Sequence, residues 1–432
     1  MNLKVKMICA WICPASRPKR PKSPRAQRSG QPRRAKEENS MSTETIAGSW
    51  FRYFPEHYLW SQIMSALINI APMGGSNFHE IDQVGKRLAG KEGDTGAWGE
   101  SWAWMADKTL ALAEAEDKKG HARTAAAAYV RCAIYRFNAE RFVHPDNPEK
   151  ADSYRALLPH YEKGIKRQVP GFERVEVPYE EGPLPAYWLP PLHPTGNDPA
   201  VAFFDGLDAS KEITVLWGGL ALRERGIGVL CIDGPGQGEA LRLRNIPSRH
   251  DYEAAGTAAF DYLDAREGVD SARIGIMAMS FGGYYAPRIA AFEHRYAACL
   301  AWGAHFDYHE VWVHRRKVLE AGGTVSSSAI WQLPWVLGKP DMDSAMEKCA
   351  LYTLEGIAEK IRMPICITHG HDDNIVPVEM AHRLYAACGS EDKELKIFTV
   401  EDGGSQHCVN DNLPMVRGWI GDWWMDRFGT GG

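Results

Sequence analysis

The sequence lacks any long hydrophobic run. None of its 432 residues lies in a stretch approaching the roughly 18 consecutive apolar residues that a membrane-spanning helix requires, so we expect no membrane partner. It also lacks a cysteine pattern. The nine cysteines are odd in number, and their spacings match neither a metal site nor a disulfide framework. We therefore expect reduced cysteines, a cytoplasmic protein and no bound metal.

The glycine pattern of a dinucleotide-binding site is absent as well. The segment DGPGQGE at 233–239 has closely spaced glycines, but it lacks the G-x-G-x-x-G spacing and carries Pro235 within the turn. A tight turn near the active-site edge explains it better, so we expect no cofactor. No segment repeats at a fixed period, which excludes a helical solenoid.

Positive charge is scarce outside the N-terminus. Residues 1–40 hold eleven Lys and Arg with only two Glu, whereas 41–432 hold 39 basic against 53 acidic residues. A Pro- and Arg-rich segment cannot form a core, so we predict a disordered basic extension over 1–45. An acidic body is a poor partner for a polyanion, so we expect no nucleic-acid binding. Met41 opens a segment typical of a natural start, and we interpret 1–40 as an upstream extension without a functional role.

The remaining chain divides into a helical part and an alternating part. Strand signals are almost absent from 46–168, where apolar residues recur at spacings of three and four. In 169–432 short apolar runs alternate with helical segments, as in a parallel sheet covered on both faces. We predict an α/β fold with a mostly parallel, doubly wound sheet, preceded by a helical N-terminal cap domain over 46–168. A cap insertion rich in Trp, Tyr and His is expected at 306–360.

The segment IGIMAMSFGGYYAPRIAA, at 274–291, places a serine between a strand and a helix. A nucleophilic serine on such a turn needs small residues two positions before and after it, because strand and helix cross closely. Ala278 stands where the usual motif has glycine, and Gly282 occupies the second position. Ser280 is therefore a candidate nucleophile; the alternative is an ordinary serine in a nucleotide-fold turn.

Two later segments supply an acid and a histidine in the chain order of an α/β-hydrolase triad. HGHDDNIVP follows a strand, and its Gly-x-x-Asp-x-x-x-Pro spacing favours Asp373 as the acid, with Asp372 as the alternative. His407 lies in the glycine-rich loop EDGGSQHCVND after the strand LKIFTV. The order predicts a catalytic triad of Ser280, Asp373 and His407 on an α/β-hydrolase fold.

The chemistry explains these residue types. Serine is a weak nucleophile, so His407 must accept the proton of Ser280 during attack, while Asp373 orients the imidazole and stabilises the imidazolium. The developing oxyanion needs backbone N–H donors from the residue after the nucleophile and from the loop after the third strand. We expect these donors to be Phe281 and Leu207.

The segments together resemble the 2,6-dihydroxypseudooxynicotine hydrolase-like α/β-hydrolases and their FrsA-like and fungal relatives. The resemblance covers about residues 50–428 and rests on FERVEVPYEEGPLPAYWLPP, DGLDASKE, CIDGPGQGEA, MSFGGYYAPR, HGHDDNIVP and GGSQHC. It implies cleavage of a carbon–carbon bond beside a carbonyl in an aromatic or polyketide-like small molecule, by a homodimer. It also implies that Asp208, where the family enzyme has glutamate, is an auxiliary acid or substrate-binding residue. The alternative for Asp208 is a cap of the helix that begins near Ser210.

Three functions remain open from the sequence. The first is a carbon–carbon bond hydrolase, and the second is a carboxylesterase, lactonase or amidase with the same triad, since the oxyanion chemistry is shared. The third is a non-catalytic binding protein on a hydrolase fold, against which the complete triad argues.

Overall fold

The computed structural model describes residues 50–320 and 331–430. The predicted basic extension over 1–45 lies outside these residues. An eight-stranded sheet follows an N-terminal set of helices. Its strands are β1 (Glu173–Val177), β2 (Leu184–Leu189), β3 (Asp198–Phe204), β4 (Gly228–Ile232), β5 (Val269–Met279), β6 (Ala298–Trp302), β7 (Ile365–Gly370) and β8 (Lys393–Phe398).

The sheet is mostly parallel. Its strand order is β1-β2-β4-β3-β5-β6-β7-β8. β2 pairs antiparallel with both β1 and β4, and every other neighbouring pair is parallel. β3, β4 and β6 are buried along their whole length because helices cover both faces of the sheet. The predicted α/β-hydrolase architecture is confirmed.

In the described part of the chain, five α-helices precede the sheet. They are α1 (Tyr58–Asn69), α2 (Phe78–Leu88), α3 (Thr95–Lys118), α4 (Ala122–Glu140) and α5 (Pro148–Gln168). The side chains of Asn77, Asp94 and Asn147 accept hydrogen bonds from N–H groups of the first turns of α2, α3 and α5, which fixes where these helices begin.

The remaining helices connect or follow the strands. They are α6 (Lys211–Thr214), α7 (Leu220–Glu224), α8 (Gly238–Arg242), α9 (Glu253–Asp264), α10 (Gly282–Phe292), α11 (Tyr308–Glu320), α12 (Gln332–Leu337), α13 (Met342–Cys349), α14 (Glu379–Ala387) and α15 (Leu413–Phe428). Helices α11 to α13 lie in the segment that was predicted as a cap insertion. Among the helices of the described ranges, none combines the length and apolar character that a membrane crossing requires.

A hydrophobic core lies on each face of the sheet. Because side chains alternate along a strand, Phe203 packs on one face and Phe204 on the other. The core that contains Phe203 also contains Trp60 and Trp98 of the N-terminal helices and Trp424 of α15. The N-terminal helices therefore share their core with the sheet.

A buried ion network holds the segment that follows β3. The Nζ of Lys211 lies 2.9 Å from the Glu212 carboxylate, 3.0 Å from that of Asp233 and 3.1 Å from that of Glu239. Asp233 also accepts the backbone N–H of Lys211 and that of Glu239, so one carboxylate anchors the starts of α6 and α8. A Cβ at Gly238 would lie 2.2 Å from Asp233 Oδ1. The DGPGQGE glycines thus make room for this network.

Lys211→Met should lower the free energy of unfolding by about 3–5 kcal/mol, because it leaves three buried carboxylates without their shared cation. Lys166→Met, at an exposed lysine of α5, should change it by less than about 0.5 kcal/mol. Urea unfolding followed by tryptophan fluorescence measures both. Equal stability of the two variants would contradict a structural role for the network.

Candidate active site

Ser280 occupies a sharp turn between β5 and α10. Its φ is 58°, a left-handed conformation that non-glycine residues rarely adopt and that is often found at functional sites. A Cβ at Gly282 would lie 2.6 Å from Cβ of Ala278, and one at Gly206 would lie 2.7 Å from Cβ of Ser280. Ala278 therefore fits the turn because Gly282 lacks a side chain, and Gly206 leaves the same kind of room for Ser280.

The structure brings Ser280, His407 and Asp373 together in one hydrogen-bonded chain. Ser280 Oγ lies 2.7 Å from Nε2 of His407, and Nδ1 of His407 lies 2.7 Å from Oδ2 of Asp373. The other oxygen of Asp373 accepts the backbone N–H groups of Ile375 and Val376 at 2.8 and 2.9 Å. All three side chains stand after the carboxyl ends of parallel strands, as the sequence predicts.

Asp372, the alternative acid, points elsewhere. One of its oxygens accepts the hydroxyl of Ser405 at 2.7 Å, and the other lies 2.8 Å from Nδ1 of His371. Its carboxylate is half-buried, whereas Asp373 is buried. Of the two adjacent carboxylates, only Asp373 contacts His407.

The buried acid and base shift each other's pKa. Burial disfavours the Asp373 carboxylate, but the neighbouring His407 outweighs burial and lowers the pKa of Asp373 to about 2. Burial likewise disfavours the imidazolium, but Asp373 outweighs it and raises the pKa of His407 above its ordinary value. The pair thus favours a charged histidine, as required after it accepts a proton.

Two backbone N–H groups beside Ser280 are without an acceptor. Phe281 and Leu207 line the same cavity as Ser280, and within 50–320 and 331–430 neither N–H donates to another protein group. The Leu207 loop is fixed by Gly206, whose N–H donates to the Asp205 carboxylate at 2.7 Å. These are the two positions that the sequence predicts for an oxyanion hole.

Asp208 lies beside the cavity without lining it. It is buried, its φ is 51°, and its carbonyl accepts from Arg242 at 2.7 Å. In the described residues no hydrogen bond joins the Asp208 side chain to the first turn of α6, and the first N–H of that helix, that of Lys211, donates to Asp233. The acid of this segment that lines the cavity is Asp205, and burial raises its pKa to about 7.

The cavity at Ser280 has a volume of about 180 Å³ and is bounded by three parts of the chain. The N-terminal helices contribute Ile63 of α1 and Arg141 after α4, the insertion contributes Tyr308 of α11, and the sheet edge contributes Ser280 and His407. Tyr308 stacks on Phe281 with ring centroids 3.7 Å apart. A wider surface groove of about 880 Å³, from 178 to 267, contains no residue of the hydrogen-bonded chain.

Two residues of the cavity were not singled out individually from the sequence. His305 is buried, and its Nδ1 lies 3.1 Å from the carbonyl of Gly303, so Nδ1 carries the proton. Burial and the nearby His407 hold its pKa well below the ordinary value, leaving Nε2 as a neutral acceptor. The position of His305 just after β6, at the carboxyl edge of the sheet, was the sequence signal that could have identified it. Cys408, with a φ of 52°, brings its Sγ within 3.5 Å of His407 Nε2, and no sequence signal identified it.

In the described residues, no group of three or more His, Cys, Asp or Glu side chains is arranged to hold a metal ion.

Known proteins match both the sequence and the fold. The sequence pattern of the prolyl oligopeptidase family matches residues 217–413. Hydrolase LUC6 of Fusarium sp is 27% identical over 402 residues, which cover 84% of this chain and 95% of that protein. The 2,6-dihydropseudooxynicotine hydrolase of Paenarthrobacter nicotinovorans is 29% identical over 348 residues, covering 80% of this chain and 88% of that protein.

The crystal structure of 2,6-dihydroxy-pseudo-oxynicotine hydrolase superposes with a TM-score of 0.70 at 23% identity, covering 84% of this chain and 95% of that one. This likeness shows that the two proteins share a fold. The resemblance predicted from the motifs is confirmed: the chain is an enzyme with the α/β-hydrolase fold, and it is similar in sequence to the 2,6-dihydropseudooxynicotine hydrolase of Paenarthrobacter nicotinovorans.

Proposed function

We propose that this hydrolase uses Ser280, His407 and Asp373 to cleave a carbon–carbon bond beside a carbonyl in an aryl-ketone or polyketide-like substrate. The observation that carries the proposal is the continuous chain of 2.7 Å contacts from Ser280 through His407 to Asp373 at the wall of a cavity. A serine, a base and an orienting acid in this geometry support nucleophilic acyl transfer.

The reaction would proceed through an acyl-enzyme. Ser280 Oγ bonds to the substrate carbonyl carbon while His407 takes the hydroxyl proton, and the carbonyl oxygen becomes an oxyanion. The N–H groups of Phe281 and Leu207 bind that oxyanion, each contributing about 3 kcal/mol. Collapse breaks the bond to the leaving carbon, which receives the proton from His407. Water, activated by the same histidine, then releases the acid.

Carbon–carbon cleavage demands a stabilised carbanion, such as an enolate or an electron-rich ring carbon. Support for this reaction comes from the motifs that this chain shares with the 2,6-dihydropseudooxynicotine hydrolase group. The stacked Phe281 and Tyr308 rings offer a flat surface for an aromatic or conjugated substrate.

Ester, lactone or amide hydrolysis is the second candidate. The match to the prolyl oligopeptidase family over 217–413 favours it, since it spans the same serine, acid and histidine. An alkoxide or amine leaving group would need only His407 as its proton donor.

Paired substrates separate the two candidates. We expect turnover of an aryl β-diketone to the two carbon-cleaved products, seen by mass spectrometry, with a kcat/KM at least tenfold above that for the matched aryl ester. Ser280→Ala should abolish turnover of both substrates, because it removes the hydroxyl that attacks the carbonyl and nothing else. A preference for the ester would replace the carbon–carbon assignment, and Ser280→Ala activity within tenfold of wild type would reject the nucleophile.

The adjacent carboxylates provide a matched control. Asp373→Asn should lower kcat by about 10⁴-fold, whereas Asp372→Asn, which does not contact His407, should lower it less than tenfold. Activity should rise with pH as His407 loses its proton. Because Asp373 raises the pKa of His407, the acid limb of wild type should lie above pH 6.5, and Asp373→Asn should move it to lower pH. Equal losses of kcat in the two variants would contradict this assignment. So would an acid limb of the pH profile that stays at the wild-type pH in Asp373→Asn.

A further inference from the structure

Arg141 follows the last residue of α4 and lines the cavity that contains Ser280. Its guanidinium forms no ion pair or hydrogen bond with any residue in the two described ranges, and its Nε is shielded from solvent without an acceptor. Burial lowers the pKa of Arg141, which reflects the cost of holding this charge away from water. A cation in such a place is expensive unless an anion joins it.

The neighbouring charges are already engaged with one another. The Glu140 carboxylate lies 2.6 Å from Lys150 and 2.9 Å from Arg242, and both pairs are buried. Asp208 also stabilises the charge of Arg141, but no carboxylate lies within 4.0 Å of the Arg141 guanidinium in the described residues. Within the described residues Lys150 and Arg242 therefore share the Glu140 carboxylate, and the guanidinium left without an ion pair is that of Arg141.

Two other charged groups of the cavity differ from Arg141. Asp205 accepts from Gly206 and from the Thr214 hydroxyl at 2.9 Å, and its raised pKa leaves it partly neutral. Arg315, on α11, donates to the carbonyl of Ile375 at 3.0 Å. Asp205 stabilises the charge of Arg141 from a distance, but in the described residues neither group pairs with the Arg141 guanidinium.

We infer that Arg141 binds an oxyanion of the substrate, either an enolate or a carboxylate, which lies in the same cavity as the carbonyl that Ser280 attacks. A guanidinium presents its donors in a planar fork that matches two oxygens of a delocalised anion. The inference rests on the proposed function only in taking this cavity as the substrate site. It assigns Arg141 a specificity role.

Binding to the inactive Ser280→Ala enzyme tests this without requiring catalysis. Three phenyl ketones of similar size serve as calorimetric probes at neutral pH. 4-Oxo-4-phenylbutanoate carries a carboxylate, 1-phenylbutane-1,3-dione carries an enolisable diketone, and butyrophenone carries neither. We expect one of the first two to bind about 10- to 100-fold more tightly than butyrophenone, as for a charge-assisted hydrogen-bonded pair. Which of them does so distinguishes a carboxylate from an enolate.

Adding Arg141→Met should remove that preference while leaving butyrophenone affinity within about threefold. Arg141→Lys, which keeps the charge but loses the fork, should retain only part of it. The matched control is Arg136→Met, at an arginine of the same helix that already pairs with Asp107, and it should keep the full preference. Near-ultraviolet circular dichroism checks that each variant folds.

Equal affinity of the Ser280→Ala enzyme for all three probes, including no measurable binding of any, would overturn the inference. So would a preference that survives Arg141→Met. Because these binding measurements use an enzyme that does not turn over, a failed prediction about carbon–carbon cleavage would leave them unaffected. Likewise, a failure of the binding prediction would leave the result of the turnover experiment unaffected.

Discussion

The left-handed backbone at Ser280 is the constraint on which the site depends. It directs the hydroxyl away from β5 toward His407, and it requires close packing of the turn against its neighbours. Gly206 approaches Ser280 so closely that a Cβ there would lie 3.0 Å from its Oγ. A Cβ at Gly283 would lie 2.2 Å from the carbonyl of Gly303. The same close packing brings the Leu207 loop beside Ser280, so the serine and the two candidate oxyanion donors are fixed together.

Two buried cations near this turn differ in their partners. Lys211 is buried among three carboxylates and is fully engaged, which holds the segment after β3 in position. Arg141 is held at the cavity wall with no ion-pair partner among the described residues. The first arrangement supports the fold, and the second leaves binding energy available for a ligand. Tyr154 of α5 donates to Glu212 at 2.8 Å, so the N-terminal helices reach both arrangements.

The sheet was predictable because its central strands, β3, β4 and β6 among them, are continuous apolar runs of the kind that a parallel sheet covered on both faces buries. Ser280, Asp373 and His407 were predictable for a related reason: side chains that follow successive parallel strands converge at one edge. Asp208 shows the limit of motif reading, since its neighbours Leu207 and Ala209 line the cavity and it does not. The direction of the side chain of a left-handed residue such as Asp208 is not encoded in local spacing.

The N-terminal helices mark a second limit. Their amphipathic pattern predicts helices, but it does not say which strand face they cover. Arg141 and Ile63 lie far from Ser280 in the sequence and meet it only through the core shared by Trp60, Trp98 and Phe203. Such long-range contacts are determined by packing, which periodicity does not specify.

The measurement that tests the account most directly is covalent labelling of the nucleophile. Wild-type enzyme should react with an alkyl fluorophosphonate at one site, and peptide mass spectrometry should locate the adduct on Ser280. His407→Ala should slow that labelling by at least 10²-fold, since the serine then lacks its base. An adduct on another residue, or labelling that proceeds equally fast without His407, would contradict the account.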